Sequence, residues 1–126
     1  MVKITMIGYH YSTTLHKAVE YVNTVTDNSL QFVFLNAYDI DKGIIPNEHV
    51  IRELTTADII LLDIRGGDRI SKIVMDTLRN ANKNVVTLVG GSPEIIELTK
   101  LGSFSLGKFM RMRKKAFLKR FIRQKA

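Results

Sequence analysis

The 126-residue chain contains no cysteine. That absence excludes disulfide scaffolds, thiol nucleophiles, iron–sulfur clusters and cysteine-ligated zinc, and leaves folding to an apolar core alone. Long apolar runs are missing too. The N-terminal Met1-Val2-Lys3-Ile4-Thr5-Met6-Ile7-Gly8 is too short and too interrupted for a secretory h-region or a spanning helix, so no transmembrane segment is expected and a cytoplasmic location is. What is present, 45% hydrophobic and 25% charged residues, suits one soluble globular domain rather than a disordered chain.

Acidic residues are absent from one end. Residues 103–126 hold nine cations (Lys108, Arg111, Arg113, Lys114, Lys115, Lys119, Arg120, Arg123 and Lys125) and no carboxylate side chain. Taking these nine from the 19 basic residues leaves ten against 12 acidic ones, so the rest of the chain carries a net charge of −2. The overall +7 therefore belongs to the tail, and a basic face spanning the whole domain is not supported.

Four runs rich in Val, Ile, Leu and Phe have strand length: 2–8, 30–36, 58–63 and 84–88. Between them, apolar residues recur at helical spacing: Leu15, Ala18, Val19 and Val22; then Val50, Ile51 and Leu54 after Pro46-Asn47; then Ile70, Ile73, Val74 and Leu78. Strand and helix alternate, and near-continuous apolar strands suit a parallel sheet covered on both faces. The expected fold is α/β: a flavodoxin-like three-layer sandwich on a short parallel sheet of four strands, order 2-1-3-4, with 3-2-1-4 the main competitor. Gly90-Gly91-Ser92-Pro93-Glu94 supplies a turn, an N-cap and a helix start, predicting a fourth helix through about Lys100. Gly102 breaks the chain. The reading thus divides it into an α/β body, 1–102, and a basic amphipathic C-terminal helix, 103–126, leading into further chain.

In open parallel sheets, ligands bind beyond the strand carboxyl ends where strand order reverses. That rim would be walled by Tyr9-His10-Tyr11-Ser12-Thr13 and Ile64-Arg65-Gly66-Gly67-Asp68-Arg69, with Gly90-Gly91-Ser92 adjacent, and its candidate ligand-binding residues are His10, Tyr11, Ser12, Arg65, Gly66, Gly67, Arg69, Gly90, Gly91 and Ser92. Each segment opens a helix, whose free N–H groups favour a carboxylate or phosphate. The same residues have a plainer explanation, since Ser12 and Ser92 suit helix caps and Gly66-Gly67 a tight turn. A lone His10 is not a metal site, and Asp39, Asp41, Asp63 and Asp68 cannot be brought together by sequence, so no metal site and no catalytic residue is assigned. Receiver-type acidic pairs, a flavodoxin phosphate loop, Gly-x-Gly-x-x-Gly, the P-loop, the cobalamin Asp-x-His-x-x-Gly signature and the Gly-x-Ser-x-Gly elbow are all absent.

The tail places Leu106, Phe109, Met110, Phe117 and Phe121 near one side, with Lys108, Arg111, Lys115 and Lys119 opposite. Packing against protein, lying on an anionic membrane and contacting nucleic acid are its three readings. An apolar stripe favours the first.

Three segments carry a family likeness: Ala57-Asp58-Ile59-Ile60-Leu61-Leu62-Asp63-Ile64-Arg65-Gly66-Gly67; Val85-Val86-Thr87-Leu88-Val89-Gly90-Gly91-Ser92-Pro93-Glu94; and Leu98-Thr99-Lys100-Leu101-Gly102-Ser103-Phe104. Together, with a compatible Tyr11-Ser12-Thr13-Thr14-Leu15, they resemble the N-terminal domain of the cobaltochelatase large subunit, CobN, and of magnesium-chelatase H-subunit relatives. The Gly-Gly-Ser-Pro-Glu segment with Leu-Gly-Ser-Phe is the most specific part. The resemblance implies a role in ATP-dependent insertion of cobalt or magnesium into a tetrapyrrole, in cobalamin or porphyrin biosynthesis. It implies as partners the remainder of the large subunit, AAA+ subunits that hydrolyse ATP, and the macrocycle. The domain itself would hold no cofactor, because ATP, Mg and the inserted metal belong to the full complex. It would not turn over alone, and this chain would be an N-terminal piece of a longer one. A nucleic-acid-binding module using the tail, or a flavodoxin-like small-molecule binder, are the alternatives.

Overall fold

Each of the four apolar runs forms a strand: β1 (Val2–Gly8), β2 (Leu30–Asn36), β3 (Ile59–Leu62) and β4 (Asn84–Thr87). They are joined by helices α1 (Thr13–Val25), α2 (Ala37–Asp41), α3 (Asn47–Thr55) and α4 (Asp68–Leu78) and followed by α5 (Pro93–Ile96), β5 (Lys100–Leu101), β6 (Phe104–Ser105) and α6 (Leu106–Lys125). This computed structural model describes residues 1–88 and 92–125, with the side chains of 117, 118 and 120–125 left aside.

The sheet runs β2-β1-β3-β4-β5-β6. Its first four strands are parallel and in the order expected, with Ile4 opposite both Phe32 and Ile59, and Ile60 opposite Val85. The sheet nevertheless has six strands, not four, and is mixed, because β5 and β6 add an antiparallel edge. The helix expected to reach Lys100 stops at Ile96. Hydroxyl chemistry explains the change of course. Thr87 and Thr99 join Oγ1 to Oγ1 at 2.7 Å, and Thr99 Oγ1 also accepts from Thr87 N, which draws the chain to the sheet edge. Gly102 then turns at φ +56°, its N–H donating to Asn84 Oδ1.

The core is one-sided. Strand alternation places Thr5, Ile7, Leu35, Ile60, Leu62 and Val85 on the face that α2, α3 and α4 cover with Ile40, Val50, Leu54, Ile70 and Val74, all buried. On the opposite face Met6 is buried, but Ile4, Phe32, Phe34, Ile59, Leu61 and Val86 are only half-buried. Helix α1 lies by β2 but buries no residue, leaving Tyr21, Val22 and Val25 exposed. With no residue of α1 buried, the described residues do not confirm the three-layer sandwich.

At the amino end of the sheet, Lys3 Nζ meets Glu53 Oε2 at 2.8 Å, with each side chain only 14% exposed. The hydrogen bond from Lys3 holds the Glu53 carboxyl below its ordinary value of 4.5, against the opposing effect of burial, with further help from the charges of Lys3, His49 and Arg52. A carboxyl whose pKa is depressed by folding adds stability above its unfolded pKa, and loses that contribution as pH falls through the folded value. Glu53→Gln is therefore expected to be less stable than wild type at about pH 7, with the gap closing towards about pH 3, as read from urea midpoints at each pH.

Candidate functional site

The carboxyl ends of β1, β2 and β3 open onto a cavity of about 300 Å³ lined by Tyr9, Ala37, Tyr38, Asp41, Arg65, Gly66 and Gly67. Asn36 creates one wall. Its Oδ1 accepts from the backbone N–H groups of Tyr38 and Asp39, capping α2 and fixing where Tyr38 leaves the chain. The Tyr9 and Tyr38 rings meet edge to face, 4.8 Å between centroids at 64°.

Arg65 stands over the Tyr9 ring, with its guanidinium carbon 5.4 Å from the centroid. Its backbone N–H donates to the Tyr9 hydroxyl at 2.7 Å. Nε and Nη2 donate to the two oxygens of Asp63 at 3.2 and 3.3 Å, and this pairing raises the guanidinium pKa still further above its ordinary value. The fork geometry leaves Nη1 with both of its N–H groups for a ligand. Opposite, Gly67 adopts φ +101°, and a Cβ there would fall 2.6 Å from Asp41 Oδ1, the atom that accepts from Ile70 N at the start of α4.

Of the residues singled out from sequence, Arg65, Gly66 and Gly67 share this cavity. Arg69 does not. It lies against Gly43, with Nε and Nη2 donating to Asn47 Oδ1 at 3.4 and 3.2 Å, and lines a separate cavity of about 230 Å³. Tyr11 also turns away: its ring stacks on Phe32 and Phe34 and its hydroxyl bonds His16 Nδ1 at 3.2 Å, on the far side of the sheet. His10 is exposed and lies outside the Arg65 cavity. Ser12 and Ser92 spend their hydroxyls on the helix N–H groups of Leu15 and Ile95, as the capping explanation requires. Gly90 and Gly91 lie outside the described residues. Tyr9, part of the expected rim segment, lines the cavity as well, Asp41 enters it as a wall residue rather than as half of a carboxylate pair, and Tyr38 is the lining aromatic that the sequence does not signal by periodicity. The Asn36 cap motif was the signal that could have located Tyr38. Among the described residues no three His, Asp or Glu side chains converge as metal ligands, and no helix is long and apolar enough to cross a membrane.

Fold and site together define a small α/β domain with one aromatic and guanidinium-lined cavity at the strand carboxyl ends. The chain belongs to the family described as domain of unknown function DUF3479, which matches it over residues 1–126. No curated protein shows significant similarity to it.

Proposed function

We propose that this domain is the N-terminal accessory part of a metal chelatase large subunit, helping to enclose a tetrapyrrole or to dock neighbouring domains while AAA+ partner subunits hydrolyse ATP. The observation that supports it most directly is the Tyr9, Tyr38 and Arg65 cluster. Flat aromatic faces suit the edge of a conjugated ring, and the unspent N–H groups of Arg65 suit a carboxylate side arm of that ring. The cavity is smaller than a whole macrocycle, which fits one wall of an enclosure completed by other domains. No residue here is assigned to metal insertion, and the inserted cobalt or magnesium is substrate in this reading.

Calorimetric titration of the domain with a carboxylated porphyrin, and with a carboxylated corrinoid, tests it. Saturable binding is expected with at least one ring, weakened about tenfold by Arg65→Ala, the size of one charge-assisted hydrogen bond. No heat and no change in the ring's absorption with either compound would remove the proposal. A nucleic-acid-binding role draws support from a different feature, the exposure of Lys108, Arg111, Arg113, Lys114, Lys115 and Lys119 along α6. Retention on immobilised RNA that falls steeply with salt would favour that role instead.

A further inference from the structure

A second hollow lies away from the strand carboxyl ends. A cavity of about 400 Å³ lies at the other end of the sheet, between the last turn of α4 and the segment that runs from α5 through the β5–β6 hairpin into α6. Its apolar lining comes from Met75, Leu78, Val85 and Leu98. Five cations also line it against two carboxylates, Glu94 and Glu97, a local excess of three positive charges.

The cations divide by what they already do. Lys83 Nζ donates to the carbonyl oxygens of Thr55 and Ala57 at 2.6 and 3.0 Å, and Lys100 Nζ donates to Asn82 Oδ1 at 2.8 Å. Those two hold the fold. Arg79, Lys108 and Arg111 have no ion pair within 4.0 Å among the described residues, although Glu94 and Glu97 line the same hollow. Arg111 is drawn back over the start of its helix. A Cβ on Gly107 would lie 3.4 Å from Arg111 Nη1 and 3.0 Å from the Glu97 carbonyl oxygen, so the missing side chain both lets α6 approach α5 and leaves room for the guanidinium beside the cavity.

We propose that this cavity is a second ligand site, for a small organic anion whose apolar body rests on Met75, Leu78, Val85 and Leu98 and whose acidic group is held by Arg79, Lys108 and Arg111. Both halves of the lining are needed. Apolar contact supplies non-directional affinity, and the free cations select the charged end. The site is separate from the Arg65 cavity and does not depend on the chelatase reading.

The probe is 2-naphthoate, titrated into the full chain and followed by calorimetry and by backbone amide shifts. Saturable binding is expected, with the largest shifts at Ser105, Gly107 and Lys108. The uncharged 2-naphthamide is expected to bind at least fivefold more weakly, as is acetate, which lacks the apolar body. Arg111→Gln combined with Arg79→Gln should weaken naphthoate at least fivefold, whereas Arg65→Ala should leave it unchanged. All three substitutions are at exposed positions, and unaltered amide spectra away from each site verify the fold. Equal binding of naphthoate and naphthamide, equal binding of naphthoate and acetate, shifts centred on Tyr9 and Tyr38, or no saturation would each overturn the proposal.

Discussion

Gly67→Ala is expected to cost about 3 kcal/mol of folding stability, combining backbone strain of about 1–3 kcal/mol with a steric clash. At φ +101° and ψ +119° the backbone occupies a region that residues with a Cβ rarely adopt. The added methyl would also stand 2.6 Å from Asp41 Oδ1 and 2.8 Å from Cγ2 of the buried Ile70. Relief requires Asp41 to move. Its Oδ1 then stops accepting from Ile70 N, and α4, which starts at Gly67 without a side-chain cap of its own, loses this support for its first turn. The change is read as a lowered urea midpoint with an unchanged m value. Gly66→Ala is the control, because a Cβ there meets nothing within 4 Å. Equal stability of the two variants would show that the Asp41 contact does not constrain this turn.

Ile60→Ala should be the most damaging of the single truncations on β3. Ile60 is fully buried at the middle of the parallel sheet, between Thr5 on β1 and Val85 on β4. Removing three carbons there is expected to cost about 3–4 kcal/mol, a large part of the total for a domain of this size. The same truncation one residue earlier, Ile59→Ala, reaches the half-buried face and should cost only about 1 kcal/mol. A comparison of thermal or urea midpoints measures the asymmetry between the faces. Equal losses would mean that both faces are sealed in solution.

The parallel part of the sheet could be read from the residues because each strand is a strand-length run rich in Val, Ile, Leu and Phe between polar or glycine positions, and because α3 and α4 carry apolar stripes at helical spacing. Helix α2 and strands β5 and β6 could not. Helix α2 depends on Asn36 turning its side chain onto two N–H groups, and the β5–β6 edge depends on Thr87 finding Thr99 and Asn84 finding Gly102. Those are contacts between segments and leave no periodicity in the chain. The site divides the same way. Arg65-Gly66-Gly67 stands at a strand end, and the parallel topology alone brings it to the rim. Arg69 is four residues further on, and its destination was decided by Asn47 and by the missing side chain of Gly43, neither of which is near it in sequence. Tyr11 was drawn off the rim by Phe32 and Phe34, which the register of β2 sets beside it.

Gly107 is the only buried residue among the described side chains of α6, while Phe109, Met110 and Met112 remain exposed. Twenty residues of helix extend about 30 Å, and among the described residues its start is held by Gly107 against the Glu97 carbonyl and by the Leu106 N–H, which donates to the Thr99 carbonyl oxygen at 2.9 Å. A methyl group at that fulcrum, displacing it by a few tenths of an ångström, would swing the far end through a much longer arc. The bearing of the cationic helix would therefore depend on a residue that carries no charge of its own.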